Sequence, residues 1–281
     1  MIPDAIVQGN VIAFLGSPAA HDGRAVEQVE THASVVFLAG TRALKLKRAV
    51  KYDYLDFSTV ERRRASCEAE VDLNRRTAPS LYRGVVPVTR EADGSLAVGG
   101  AGAAVDWVVD MQRFDQDQLF DRLAQRGQLD RALMRPLAEE IARFHAAADV
   151  RHDRGGRANM AWVVDGNDAS FRDGHTSLNR ETADAVTRAA RESIERHGDD
   201  LDRRRREGLV RQCHGDLHLR NIVRLEGIPT LFDGVEFNDD IACIDVFYDL
   251  AFLLGQHLQQ TARLADERKH FKYVTPERNL A

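Results

Sequence analysis

The chain is poor in the residues that would place it in several common classes of protein. Its 281 residues include three cysteines, seven prolines and 7% aromatic residues. Because Cys67, Cys213 and Cys243 are odd in number and scattered, they predict reduced thiols in a cytoplasmic protein and no disulfide framework. Basic residues are not in excess, and the net charge of -5 gives no general case for nucleic-acid binding.

Long apolar runs and familiar phosphate-binding loops are also missing. No segment reaches the roughly 20 apolar residues that span a bilayer, and the first residues lack the pattern of a signal peptide. The sequence contains neither a Gly-x-Gly-x-x-Gly loop nor a Gly-x-x-x-x-Gly-Lys motif. The remaining composition, 43% hydrophobic and 30% charged, is typical of a soluble globular protein with a substantial core.

Side chains that can take part in catalysis are concentrated in the stretch Cys-His-Gly-Asp-Leu-His-Leu-Arg-Asn at 213–221. Leu-Phe-Asp-Gly-Val-Glu-Phe follows at 231–237. Its His-x-Asp spacing and the five-residue step from Asp216 to Asn221 are those of the catalytic loop of protein kinases. Asp233 falls where a kinase keeps its second magnesium-binding acid. These two blocks therefore indicate phosphoryl-transfer chemistry.

Two short apolar runs between these blocks, 222–225 and 228–232, predict a β-hairpin with a glycine at its turn. Such a hairpin would fold Asp233 back beside Asn221. Amide and carboxylate oxygens suit Mg2+, so Asn221 and Asp233 are the predicted metal ligands. Asp216 and Asn221 are the predicted catalytic residues, and Asp216 would orient a substrate hydroxyl and accept its proton.

The motif His-Gly-Asp-Leu-His-x-x-Asn, with Phe-Asp-x-x-Glu-Phe and the Tyr-Asp-Leu-Ala of 248–251, resembles the aminoglycoside phosphotransferase family of kinase-like small-molecule phosphotransferases. Within it the chain is most similar to a bacterial branch often fused to a P-loop domain. The resemblance implies an α+β, two-lobed protein-kinase-like fold. An antiparallel-sheet nucleotide-binding lobe, 1–113, would end in the hinge, and a mostly helical lobe, 114–281, would carry the catalytic loop and metal site. Because only a polar tail follows at 256–281, we expect shortened C-terminal helices.

The lysine of the nucleotide site is expected on an early strand. Residues 34–38 and 42–47 predict an antiparallel hairpin, and alternation puts Lys45 and Lys47 on one face of its second strand. Ala-Leu-Lys at 43–45 resembles the kinase strand whose lysine holds the alpha and beta phosphates. The resemblance therefore implies that Lys45 binds ATP, with Lys47 as the alternative.

Further ATP-binding candidates surround that lysine. In the helix predicted at 61–76, the resemblance implies Glu68 as its ion-pair partner, with Glu70 as the alternative. The hydroxyls of Thr31 and Ser34 could bind phosphates from their turn, although ordinary turn chemistry explains them equally well. Met111 is expected at the hinge, where backbone groups would contact a purine edge, with a plain core position as the alternative.

From Gln118 onward the spacing becomes helical, with helices predicted over 133–145 and 181–198. Residues 149–177, rich in Gly, Asp, Asn and Arg, predict an extended loop. The four arginines of 203–206 are expected on a solvated helix face. The resemblance implies that Asp249 braces the catalytic loop, and Asp245 could cap the helix that begins at 246.

These residues predict an ATP- and Mg2+-dependent phosphotransferase that moves the gamma-phosphoryl group to a hydroxyl of a small molecule. The acids Glu236, Asp239 and Asp240 favour a cationic acceptor. We expect no nucleic-acid or membrane partner, and no pattern indicates an oligomeric state. Two alternatives stay open. One is a nucleotide-binding regulatory module with little catalysis, resembling a pseudokinase. The other is a metallohydrolase using the alternating His214, Asp216 and His218, which would leave the spacing to Asn221 unexplained.

Overall fold

The structure is a computed structural model that describes residues 4–173 and 179–255. The predicted polar tail, 256–281, lies outside the described residues. The chain divides into two compact units. The first runs up to Leu137 and also takes in Arg220–Asn238, and the second comprises Ala138–Leu219 and the chain from Asp239 onward. The predicted boundary after residue 113 differs from this division, because residues 114–137 and the hairpin after the predicted catalytic loop both pack with the N-terminal unit.

The strands are short and the helices are concentrated in the second half of the chain. The strands are β1 Glu27–Glu30, β2 Ser34–Ala39, β3 Arg42–Lys47, β4 Lys51–Tyr52, β5 Leu55–Asp56, β6 Tyr82–Arg90, β7 Leu96–Val98, β8 Ala103–Gln112, β9 Val210–Gln212, β10 Ile222–Leu225, β11 Ile228–Leu231 and β12 Cys243–Asp245. The helices are α1 Asp4–Leu15, α2 Val60–Asn74, α3 Phe120–Gln125, α4 Arg131–Ala147, α5 Gly156–Arg172, α6 Arg180–Arg206, α7 Asp239–Ala242 and α8 over 246–255. Within these described ranges, every helix is too short or too polar to cross a bilayer.

The first unit is built on an antiparallel sheet in the order β1-β2-β3-β8-β6-β7. Apolar side chains alternate along its strands, and each face has its own core. One face packs with α1 through Leu15, Phe37 and Leu44. The opposite face packs with α2 through Cys67 and Val71. The predicted β2–β3 hairpin is confirmed, and with the helical second half it bears out the predicted α+β class.

The predicted hairpin after the catalytic loop is also confirmed, as β10 paired with β11. Its turn residues Glu226 and Gly227 have φ values of 49° and 87°. Two consecutive positive φ angles are the signature of a type I′ turn, whose twist matches that of the flanking strands. The backbone N–H of Phe232 donates to the carbonyl of Asn221 at 3.0 Å. The hairpin therefore brings Asn221 and Asp233 to the same end of its two strands.

The second unit contains the clearest error of the sequence prediction. Residues 149–177 were expected to form a loop, but α5 occupies most of that stretch and packs along α6. Asp168 of α5 accepts hydrogen bonds from Arg191 of α6 and from Arg172. Packing on α6 stabilises α5. Helix α5 was not predicted because its stretch contains Gly and Asn residues, which are typical of loops. Among the arginines of 203–206, Arg204 is also not simply solvated, since it donates twice to Asp245.

Candidate active site

Lys45 projects from the α2 face of the sheet into a cluster of acids. Its Nζ donates to Glu70 Oε1 at 2.9 Å and to Asp233 Oδ1 at 2.5 Å. The Lys45 side chain is 13% exposed and that of Glu70 is fully buried, whereas the Asp233 side chain is 41% exposed. Residues 188 positions apart along the chain thus meet at one ammonium group.

The partner of Lys45 is Glu70, so the predicted pairing with Glu68 is wrong. Glu68 is 49% exposed and pairs with Arg64 on the outer face of α2. The reason is helical periodicity, because a residue two positions away from Glu70 points in a very different direction. Arg63, Cys67 and Glu70 lie on the buried side of α2. Because two of these three residues are charged, no apolar pattern in the sequence marked Glu70 as the correct acid.

Lys47 enters the same cluster from the next inward position of β3. Its Nζ donates to Glu70 Oε2 at 2.6 Å and to Glu236 Oε1 at 2.5 Å. The Ser66 hydroxyl of α2 donates to the same Glu236 oxygen at 2.7 Å. With side chains 2% and 5% exposed, Lys47 and Glu236 are almost completely withdrawn from solvent.

Mutual attraction keeps Lys45, Lys47 and Glu70 charged despite their burial. Burial by itself lowers the pKa of Lys45, but Asp233 and Glu70 outweigh it, and the pKa lies well above its usual value. Burial likewise acts to lower the pKa of Lys47, but Glu236 and Glu70 raise it. Burial opposes ionisation of Glu70, yet the two lysines hold its pKa below the usual range.

The backbone around Asp233 is held in an unusual conformation. Its φ of 61° is left-handed, which is uncommon for a residue other than glycine. The N–H of Asp233 donates to the hydroxyl of Tyr82 at 3.1 Å, and that of Gly234 donates to Asn74 Oδ1 at 2.7 Å. Burial, with Glu70 and Asp233 nearby, raises the pKa of Tyr82 well above its usual value, which keeps the phenol a neutral partner. Sequence inspection missed Tyr82 and Asn74, which carry no motif.

The composition of this cluster suits a bound cation. Three carboxylates, those of Glu70, Asp233 and Glu236, form ion pairs with the two ammonium groups of Lys45 and Lys47. The most exposed of the three is Asp233, and the hairpin places Asn221 at the same end of its strands. An amide and a carboxylate are oxygen ligands of the kind that Mg2+ takes. The residues present therefore fit the metal predicted from the sequence.

Residues 213–219 of the predicted catalytic loop lie in the second unit, where a buried acid braces them. Asp249 Oδ1 accepts the N–H of Gly215 at 3.0 Å, and Oδ2 accepts the N–H of His214 at 3.2 Å. His145 Nε2 lies 2.8 Å from Asp249 Oδ2, which gives this helix-end histidine a bonding role. The Asp216 carboxylate is half exposed, with His218 Nε2 at 3.3 Å. The bracing expected of Asp249 is therefore present.

His214, Asp216 and His218, the ligands of the alternative metallohydrolase reading, do not form a metal-binding cluster. In the part of the chain that the structure describes, the one group of His, Cys, Asp or Glu ligand atoms lying within 4.8 Å of one another is His145, Cys213 and Asp249. Burial raises the pKa of Cys213, and its thiol donates to the carbonyl of Ile244. His214 Nδ1 accepts the N–H of Asp216 at 3.3 Å. These contacts describe a braced loop.

The other predicted ATP contacts lie in the sheet and its turns. Thr31 Oγ1 accepts the N–H of Ser34 at 2.9 Å, and the Ser34 side chain is buried. Both residues thus serve the turn between β1 and β2. Met111 lies in β8 between β3 and β6, and its side chain packs in the core on the α2 face. A contact of Thr31, Ser34 or Met111 with a nucleotide stays a prediction.

The acids thought to favour a cationic acceptor are paired within the protein. Glu236 is bound by Lys47, Asp239 by Arg151 and Asp240 by Arg154. Each of these acids thus has a basic partner in the protein, and a cationic acceptor stays a prediction. Asp245 meets its expectation, since it accepts the N–H of Phe247 at the start of α8.

Comparison with known proteins gives relatives of unassigned activity. No protein-family model matches the chain. An uncharacterized protein of Mycobacterium tuberculosis and one of Mycobacterium bovis are each 29% identical to it over 232 residues, which is 80% of this chain and 44% of theirs. The chain therefore spans less than half the length of these curated relatives.

Two solved structures are similar over most of the chain. One is a choline/ethanolamine kinase family protein from Mesorhizobium loti, with a TM-score of 0.43 and 15% identity, covering 88% of this chain and 69% of that one. The other is the aminoglycoside phosphotransferase APH(4)-Ia, with a TM-score of 0.45 and 16% identity, covering 94% of this chain and 84% of that one.

Proposed function

We propose that the protein is an ATP- and Mg2+-dependent phosphotransferase that moves the gamma-phosphoryl group to a hydroxyl of a small molecule. The observation that carries this proposal is the contact of Lys45 on β3 with Glu70 on α2 and with Asp233. In protein kinases, a lysine on the third strand pairs with a glutamate of the following helix beside a magnesium-binding aspartate. The same three residue types occupy the same kinds of element here.

Each residue then has a defined task. Lys45 would contact the phosphates, and Glu70 would hold its ammonium group in place. Asn221 and Asp233 would hold Mg2+, which when bound neutralises charge that spreads over the phosphoryl oxygens. Asp216 would orient the acceptor hydroxyl and accept its proton, in a loop whose backbone Asp249 fixes. The acceptor is a small hydroxylated molecule, with no charge assigned.

The direct test is an untargeted search for product. Purified protein, ATP and Mg2+ would be incubated with a metabolite extract, and mass spectrometry would detect compounds that gain one phosphoryl group. We expect at least one such compound, and we expect Asp216→Asn to reduce its formation by about 10²- to 10⁴-fold. Glu68→Gln, at an exposed position, is the matched control and should leave the rate unchanged.

The outcomes separate the two functional classes. Binding of ATP without transfer to any acceptor would favour the regulatory module. An Asp216→Asn protein that works as fast as the parent would refute the role of that residue.

A further inference from the structure

The cluster around Lys45 continues into a second ion pair that the proposed chemistry does not use. Charges alternate in the order Asp233, Lys45, Glu70, Lys47 and Glu236. Both acids of the short loop 233–236 are thereby tied to the same strand, β3, and both lysines share Glu70. The loop that carries the metal-binding acid is thus fixed at its two ends.

Lys47 cannot contact the phosphates in the way proposed for Lys45. Its ammonium group is enclosed by Glu70 and Glu236 and lies 4.9 Å from the centre of the Phe57 ring. With a side chain that is 2% exposed, it has no surface on which a phosphate could bind. The Lys47–Glu236 pair is therefore an internal contact, reinforced by the hydroxyl of Ser66.

The backbone of Asp233 has a conformation that needs support from its surroundings. A left-handed φ of 61° at a residue other than glycine persists only where the surrounding structure enforces it. Tyr82 and Asn74 hold the backbone N–H groups of positions 233 and 234. Glu236, three residues further on, supplies the remaining anchor through Lys47.

We propose that Lys47 and Glu236 are positioning residues whose ion pair holds the Asp233 carboxylate in the orientation that Mg2+ binding requires. The proposal rests on the proposed function, since it assigns Asp233 to the metal. Outer groups that orient a metal ligand typically account for about 10- to 100-fold in metal affinity. Weakening the Lys47–Glu236 pair should therefore raise the Mg2+ concentration needed for ATP binding.

Glu236→Gln is the principal test variant because it keeps the shape of the side chain and removes its charge. ATP binding would be measured by calorimetry across a Mg2+ titration. The expected result is an apparent Mg2+ dissociation constant about 10- to 100-fold higher than in the parent, with ATP affinity at saturating Mg2+ close to the parent value. If the ion pair had a purely structural role, Glu236→Gln would lower the free energy of unfolding and leave the apparent Mg2+ dissociation constant unchanged. Glu68→Gln, on the exposed face of α2, is the matched control.

Ser66→Ala keeps the test decisive if Glu236→Gln does not fold. It removes only the hydroxyl contact with Glu236 and should raise the Mg2+ requirement in the same direction by a smaller factor. The positioning role would be wrong if a folded Glu236→Gln or Ser66→Ala variant needed no more Mg2+ for ATP binding than Glu68→Gln. That result would leave the proposed function intact. A parent protein that shows no Mg2+-dependent ATP binding would overturn both.

Discussion

Glu70→Gln is the substitution that most sharply tests the charge cluster. The fully buried carboxylate accepts hydrogen bonds from both Lys45 and Lys47. Glutamine has nearly the same shape but no charge, so it leaves two buried ammonium groups with one carboxylate fewer. Breaking a buried pair by removing one partner typically costs about 3–5 kcal/mol, because the charge left behind is uncompensated. We expect the free energy of unfolding of the first unit to fall by an amount in this range.

Glu68→Gln provides the matched comparison, two residues away on the same helix. Its ion pair with Arg64 is exposed and spans one helical turn, so its loss should cost only about 0.3–0.5 kcal/mol. Urea unfolding followed by circular dichroism would measure both variants. If Glu70→Gln were destabilised no more than Glu68→Gln, the buried network described here would be refuted.

Three further predictions concern pH, the catalytic loop and the hairpin. Stability should fall as pH rises above 10.5, the ordinary pKa of lysine, because Lys45 and Lys47 keep their protons in the folded state and lose them on unfolding; urea unfolding that gave a flat alkaline profile would contradict this. Asp249→Asn should speed amide hydrogen exchange at His214 and Gly215 while sheet amides keep their rates; unchanged exchange would show that Asp249 does not brace the loop. Gly227→Ala should destabilise the protein by about 1–2 kcal/mol, since φ is 87° there. Gly166→Ala, in open space on α5, should instead stabilise it by about 0.5–1 kcal/mol. Equal effects of the two substitutions in urea unfolding would contradict the turn assignment.

Local sequence patterns predicted the structure correctly where it depends on a single strand or a single turn. Alternation along β3 placed Lys45 and Lys47 on one face, and a glycine between two apolar runs predicted the β10–β11 hairpin. Both features depend on neighbours within a few residues. The contact of Lys45 with Asp233, which lie 188 positions apart, does not follow from these hairpins, and only the resemblance to kinases placed both residues at one site.

The predictions were wrong or incomplete where contacts between residues far apart in the sequence determine the structure. Glu68 was preferred over Glu70 on its position in the motif. The buried side of α2 includes the charged residues Arg63 and Glu70, so apolar periodicity does not distinguish the two acids. Helix α5 was missed because its stability comes from packing on α6. The pairing of Lys47 with Glu236 joins residues 189 positions apart, and no local spacing predicts it.

The most direct measurement is a crystal structure of the protein with Mg2+ and a non-hydrolysable ATP analogue. Phosphate oxygens should lie within hydrogen-bonding distance of Lys45 Nζ, and Asp233 and Asn221 should coordinate a metal ion. Glu70 should still contact Lys45 in that complex. An analogue bound elsewhere, with no metal at Asp233, would contradict the central claim that the strand lysine and the hairpin acid hold one nucleotide.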